Sequence, residues 1–129
     1  MSRKIHIVCL SGTREKLQMA AMVASVGAAS GDEVTVFFSM NALAYFIKGD
    51  NTAAPVEGEF GTLLSHKGVP PFRQLFEQAA ELGDAKLLPC SMALDLLEIT
   101  DDDLIPEFGE ATGLTKFLMD AEGAQLLSF

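Results

Sequence analysis

The run Ile5-His6-Ile7-Val8-Cys9-Leu10, cut off by Ser11-Gly12, decides most about how this chain can fold. It is apolar at nearly every position and partly β-branched, which marks a strand buried on both faces of a parallel sheet. Such a strand reaches its neighbour through a crossover rather than a hairpin. Thr13 to Ser30 supplies the crossover. Leu17, Met19, Ala20, Met22, Val23, Val26 and Ala29 cover much of a helix circumference, Arg14, Glu15 and Lys16 fill the first turn, and Gly31 stands in the usual terminating position. The helix therefore reads as largely buried. Glu33 to Phe38, EVTVFF, is a second buried strand. The strand–helix–strand unit is right-handed in nearly every case, and sets the two strands side by side.

Asn41 to Ile47 predicts a short apolar helix stopped at Gly49. Asp50 to Val69 contains Asn51, Pro55, Gly58, Gly61 and Gly68 and is long for a connection inside a domain. It reads either as a lid or subunit contact or as a loose excursion, and its His66-Lys67 pair either as solvated or as a contact for an anionic group. Pro70-Pro71 opens a helix in which Phe72, Leu75, Phe76, Ala79 and Leu82 recur until Gly83 closes it. Lys86 to Cys90, KLLPC, is a short strand whose Pro89 lacks an amide donor and ends the ladder. Met92 to Ile99 is helical, Thr100 to Asp103 forms a capping turn, Leu114, Phe117, Leu118 and Ala121 mark a last helix, and Gln125 to Phe129 ends in a strand. The expected architecture is α/β, a three-layer sandwich with a mostly parallel sheet of four to five strands flanked by helices, in one domain spanning residues 1–129.

Composition excludes several classes of function. At 129 residues the chain buries a core without disulfide or metal staples. With Lys+Arg 9 against Asp+Glu 18 its formal charge is −9, so nucleic acids and anionic membranes repel it; the charge reads either as a means of solubility alone or as a sign that basic proteins or small molecules are the partners. Cys9 and Cys90 are too few and too far apart for a disulfide framework, a zinc knuckle or a dithiol motif. The apolar run after Met1 to Lys4 is too short for a signal peptide or a membrane span, and the chain reads as cytoplasmic with reduced thiols.

Cys90 falls where the chain passes from strand to helix, at the carboxyl edge where α/β sheets place their ligands. Pro89 ends the strand, Ser91 is the expected N-cap, and Met92, Ala93, Leu94 and Leu96 begin the helix. A sulfur there faces unpaired amides and the positive end of a helix dipole, an environment that favours thiolate and stabilises an anionic persulfide or thiosulfonate. The other reading, a small buried hydrophobe, stays open, because free cysteine is often core. Cys9 reads as core packing, and its sulfur lies near that of Cys90 if strands one and three are neighbours. Ser11-Gly12-Thr13 reads as a turn with a helix cap or as a loop holding a small anion on its amides, although it lacks a dinucleotide or P-loop signature. Asp95 either orients a group near the sulfur or lies on a solvated helix face more than one turn away. His6 reads as a core or edge histidine, and with His66 the only other one, no Cys-His pair arises.

These residues resemble a known family. VCLSGTREKL with its buried helix, GDEVTVFFSMNAL, the PCSMALDLLEI corner and the helix leading to a terminal apolar strand are similar to the soluble DsrE/DsrF-like proteins over nearly the whole chain. The most specific part is Cys90, Met92, Leu94 and Asp95. The resemblance implies a parallel sheet flanked by helices, assembly into small oligomers including homo-oligomers, and a cysteine that accepts sulfur as persulfide or thiosulfonate. It implies no metal and no organic cofactor, and partners such as a TusA-like carrier, a rhodanese-like donor or a heterodisulfide-reductase-like complex. Some relatives carry a second cysteine in the helix after the corner; Leu96, Leu97 and Glu98 stand there in this chain.

The leading expectation is thus a sulfur carrier or sulfurtransferase with Cys90 as the reacting residue and Ser11, Gly12, Thr13, Ser91, Met92 and Asp95 as binding residues. Two alternatives remain. One is a non-catalytic module holding a nucleotide or small anion at Ser11 to Thr13, and the other is a structural subunit of a larger complex.

Overall fold

The computed structural model describes residues 3–66 and 68–129. Four strands, β1 (Lys4–Cys9), β2 (Glu33–Phe38), β3 (Lys86–Pro89) and β4 (Gln125–Ser128), form one parallel sheet in the order β3-β2-β1-β4. The helices are α1 (Arg14–Ala29), α2 (Glu59–Leu63), α3 (Phe72–Gly83), α4 (Ser91–Leu97) and α5 (Leu114–Asp120), with 3-10 segments at Met40–Phe46 and Asp101–Asp103. The four-to-five strand expectation is met in a particular way. Residues 108–112 run parallel beside β3 and touch it at two bridges, Leu87 with Phe108 and Cys90 with Thr112, as an irregular fifth edge.

Register alternation sorts the side chains onto two faces. Ile5, Ile7 and Cys9 lie beside Val34, Val36 and Phe38, and then Leu87 and Pro89, on the face that α1 and α3 cover. Phe38 is the centre of an aromatic cluster there, with Phe76, Phe46 and Phe108 within 4.8–5.0 Å between ring centroids. The opposite face carries Lys4, His6, Val8, Thr35, Phe37, Lys86 and Leu88. Among the described residues α5 is the helix that lies across it, anchored by Phe117, its single buried residue, which stacks on Phe37 at 5.0 Å and lies 4.8 Å from the His6 ring. The layers are therefore unequal, and beside α5 an open groove of about 1080 Å³ runs over Thr35, Lys86 and Leu88.

Two expectations change, and a third gains its reason. In α1 the buried side is made of Leu17, Gln18, Ala20, Ala21, Ala24, Gly27 and Ala28, and Met19, Met22 and Val26 face outward. The small residues let α1 approach sheet and α3 closely: a Cβ on Gly27 would lie 3.1 Å from Val34 Cγ2. Gly83 closes α3, as expected, but without taking the left-handed conformation itself. It is the last helical residue and Asp84 takes the positive φ of 58°. Glycine stands at 83 because a Cβ there would sit 2.4 Å from that of Ala28. The segment expected as a short helix at Asn41 to Ile47 is 3-10 in form.

The long 50–69 connection is tied down by α1. The Glu15 carboxylate accepts the backbone N–H groups of Glu57 and Gly58 at 2.9 Å, Arg14 N–H donates to the Pro55 carbonyl at 2.8 Å, and Gln18 Nε2 donates to the Pro70 carbonyl at 3.0 Å. His66 is exposed, and Lys67 lies outside the described residues. Among the described residues no helix is long and apolar enough to cross a membrane.

Candidate functional site

β3 ends at Pro89 because the ring offers no amide to extend the ladder, yet pairing continues one residue further on the other side: Cys90 N–H donates to the Phe38 carbonyl at 2.8 Å. Thr112 closes around the same point. Its N–H donates to the Pro89 carbonyl at 2.9 Å, and its carbonyl accepts Ser91 N–H at 3.1 Å. Cys90 is thus held extended, with φ −70° and ψ 124°, between β2 and the 108–112 segment, and α4 begins directly after it.

This overturns the expected cap. Cys90, not Ser91, is the N-cap of α4, its carbonyl accepting Leu94 N–H at 3.0 Å, and no side chain caps the helix. Ser91 is the first helical residue because its amide is committed to Thr112. One first-turn donor is thereby withdrawn from any anion on the sulfur. Ser91, Met92 and Asp95 are exposed on the outer side of α4, while Ala93 and Leu94 pack inward.

The two thiols differ. Cys9 is 1% exposed, and burial pushes its thiol up to about 12. Cys90 is 6% exposed and borders the exposed Ser91 and Met92. Strands β1 and β3 are not neighbours, because β2 lies between them, so Cys9 and Cys90 are separated by two strand spacings, about 10 Å. That exceeds the reach of a disulfide.

Ser11, Gly12 and Thr13 stand on the same sheet edge, two strands from Cys90, and the chain itself fills the corner. Ser11 N–H donates to the Phe129 carbonyl at 3.2 Å, and Thr13 Oγ1 donates to Glu57 Oε1 at 2.5 Å. A Cβ on Gly12 would lie 2.6 Å from the Asn41 carbonyl oxygen. These three residues and the Cys90 corner are not brought together. Asp95 accepts Glu98 N–H at its carbonyl and lies more than one turn from the sulfur.

Thr112 is a neighbour of Cys90 that sequence reasoning missed, and it brings Glu110, two residues before it, to the same edge. The glycines flanking E-A-T at 109 and 113 are the one signal of an irregular edge there. His6 is likewise more distinctive than a core histidine: it is 3% exposed, and both ring nitrogens lack a partner among the described residues. Burial, then Lys4, hold its imidazole below the usual value; Asp120 acts in the opposite sense and Lys86 adds to the lowering. Among the described residues no group of three His, Cys, Asp or Glu side chains is placed to hold a metal.

The whole fold superposes on solved structures. The YchN protein of E. coli matches with a TM-score of 0.69 at 16% identity over 100% of both chains. MTH1491 of Methanobacterium thermoautotrophicum, a protein of unknown function, matches with a TM-score of 0.69 at 10% identity, again over 100% of both. No curated protein matches the sequence. Residues 57–129, more than half of the sequence and including the Cys90 corner and the 108–112 edge, match the model of one protein family, in agreement with the resemblance carried by Cys90, Met92, Leu94 and Asp95. The chain belongs to the DsrE/DsrF/DrsH-like family.

Proposed function

We propose that the protein carries sulfur on Cys90 in a cytoplasmic relay, as a carrier or sulfurtransferase. The observation that carries this reading is the position of the residue: the family's cysteine, joining the edge strand β3 to α4, with solvent-exposed Ser91 and Met92 beside it. The Cys90 thiolate attacks the outer sulfur of a donor persulfide, the donor leaves as its thiolate, and Cys90 holds a persulfide. An acceptor thiolate then attacks that outer sulfur and Cys90 is released as thiolate, with no net oxidation in either step. A rhodanese-like donor and a TusA-like carrier or heterodisulfide-reductase-like complex as acceptor fit this chemistry.

Incubation with polysulfide or tetrathionate followed by intact-mass measurement tests the reading. The expected result is an adduct on the wild type that persists in Cys9→Ser and disappears in Cys90→Ser. No adduct on the wild type, or an unchanged adduct in Cys90→Ser, ends it.

The same reading includes self-assembly. β4 is an open sheet edge with exposed Leu126, and Met22 and Val26 of α1 line a shallow depression with Gln125 and Leu127 of β4. Light scattering should give a multiple of the 13.8 kDa chain; a monomer at all concentrations would remove assembly from the proposal.

A further inference from the structure

We infer that the partner reaching Cys90 is a basic protein that seats an aliphatic contact on the outer side of α4; the inference rests on the proposed sulfur chemistry at that residue. Between Lys86 and Lys116 the chain has no Lys, Arg or His, and it has seven carboxylates: Asp95, Glu98, Asp101, Asp102, Asp103, Glu107 and Glu110. The fold places several of these on the segments that flank Cys90. Thr112 bonds on both sides of Cys90, which puts Glu110 two residues from the sulfur's immediate neighbour. Asp101 Oδ2 accepts Ala111 N–H at 3.1 Å and so joins the same rim, and Asp95 and Glu98 stand on and just after α4. Asp95, Glu98, Asp102 and Glu110 are all exposed.

Two lysines lie to one side of this rim: Lys86 and Lys116 line the groove beside α5 together with Glu110 and Thr112. Lys86 begins β3, about 13 Å of strand away from Cys90. Lys48 touches the rim through its backbone, donating its N–H to the Asp103 carbonyl, and no ion pair among the described residues joins it to these carboxylates. Within the acidic surround α4 exposes Met92 and Leu96, the latter 77% exposed. Exposed apolar groups on the helix that follows the reacting residue, flanked by charge of one sign, favour a partner of opposite sign: the potential speeds encounter and the apolar contact holds it. The same charge repels acidic proteins, this chain included.

Two synthetic peptides test this, one lysine-rich and one glutamate-rich, each with one cysteine activated as its 2-thiopyridyl disulfide. Cys90 thiolate attacks the peptide sulfur, a peptide–Cys90 disulfide forms and thiopyridone leaves, giving an absorbance signal. Each rate is divided by that measured with N-acetylcysteine amide. The expected normalised preference for the lysine-rich peptide is about tenfold at low ionic strength, shrinking as salt is raised. It should also shrink in the triple variant Asp95→Asn, Glu98→Gln, Glu110→Gln, with folding checked by circular dichroism. Equal normalised rates at every salt concentration overturn the basic partner and leave the sulfur reading intact. Failure of both peptides and of small polysulfides to modify Cys90 in the folded protein overturns both.

Discussion

Replacing Phe117 by alanine removes the one buried residue of α5 and leaves the hydrogen bond from Lys4 Nζ to the Asp120 carbonyl as its tie to β1. The ring is 1% exposed, stacks on Phe37 at 30° and lies against His6 at 42°. Loss of a fully buried phenylalanine costs about 3–5 kcal/mol. A second effect opposes it. The two unpartnered nitrogens of His6 would meet water once the ring is gone, and satisfying a buried polar atom recovers about 1–3 kcal/mol. The net expectation is a loss of roughly 2 kcal/mol, read from the midpoint of urea unfolding followed by circular dichroism, with faster hydrogen exchange confined to α5 amides. His6 reports the opening directly. His6 and His66 are the only histidines, so their imidazole resonances are separable in a pH titration by NMR. In the wild type His6 should titrate below the ordinary 6.5, and in Phe117→Ala it should return toward it, because burial is the main cause of its lowering. An unchanged unfolding midpoint together with a wild-type His6 that titrates at or above 6.5 would refute this account of the second face.

The same histidine gives a sign for pH dependence. Its folded-state value is lowered, so its contribution to stability is whole above about pH 6.5 and is lost as the pH falls below that, with a slope of at most about 1.4 kcal/mol per pH unit; urea midpoints at pH 7.5 and pH 5 would show it, and His6→Phe should flatten that interval. Gly83→Ala should lower stability by about 1 kcal/mol, although alanine is the better helix former, because overpacking at a 2.4 Å approach to Ala28 outweighs the propensity gain; a rise in the urea midpoint would contradict the close α1–α3 contact. Glu15→Ala should make the 50–69 connection the first site of limited proteolysis, since its carboxylate holds the amides of Glu57 and Gly58. Those bonds lower the acid's folded-state value, so in the wild type the protection should persist above pH 4.5 and fade below it.

The strands were legible because burial on both faces leaves a continuous apolar run: EVTVFF is β2 residue for residue, and β1 differs by a single position at each end. What the sequence hid depends on partners distant along the chain. In α1 the inward side is built from alanines and a glycine, which weigh little as hydrophobes, so periodicity favoured Met19, Met22 and Val26; distance of approach, not hydrophobicity, chose the face. The order β3-β2-β1-β4 separates the two cysteines, and nothing local in IHIVCL or KLLPC encodes which strand intervenes. Cys90 itself was legible as a strand-to-helix corner. Its cap position was not, because it is set by Thr112, and the 108–112 segment touches β3 at only two bridges and shows no alternation of its own.

Strand β4 has a kinetic consequence. Pairing β1 with β2 joins positions 29 apart, Lys4 with Glu33, whereas pairing β1 with β4 joins positions 120 apart, Ile5 with Gln125. Closing the longer loop carries the greater entropy loss and gains only a short, four-residue strand, so the terminal strand is the last piece to dock on the folding route. Until it docks, the rim of β1 is open to the same strand from another molecule, and exchange of that strand between copies is the misassembly this topology invites.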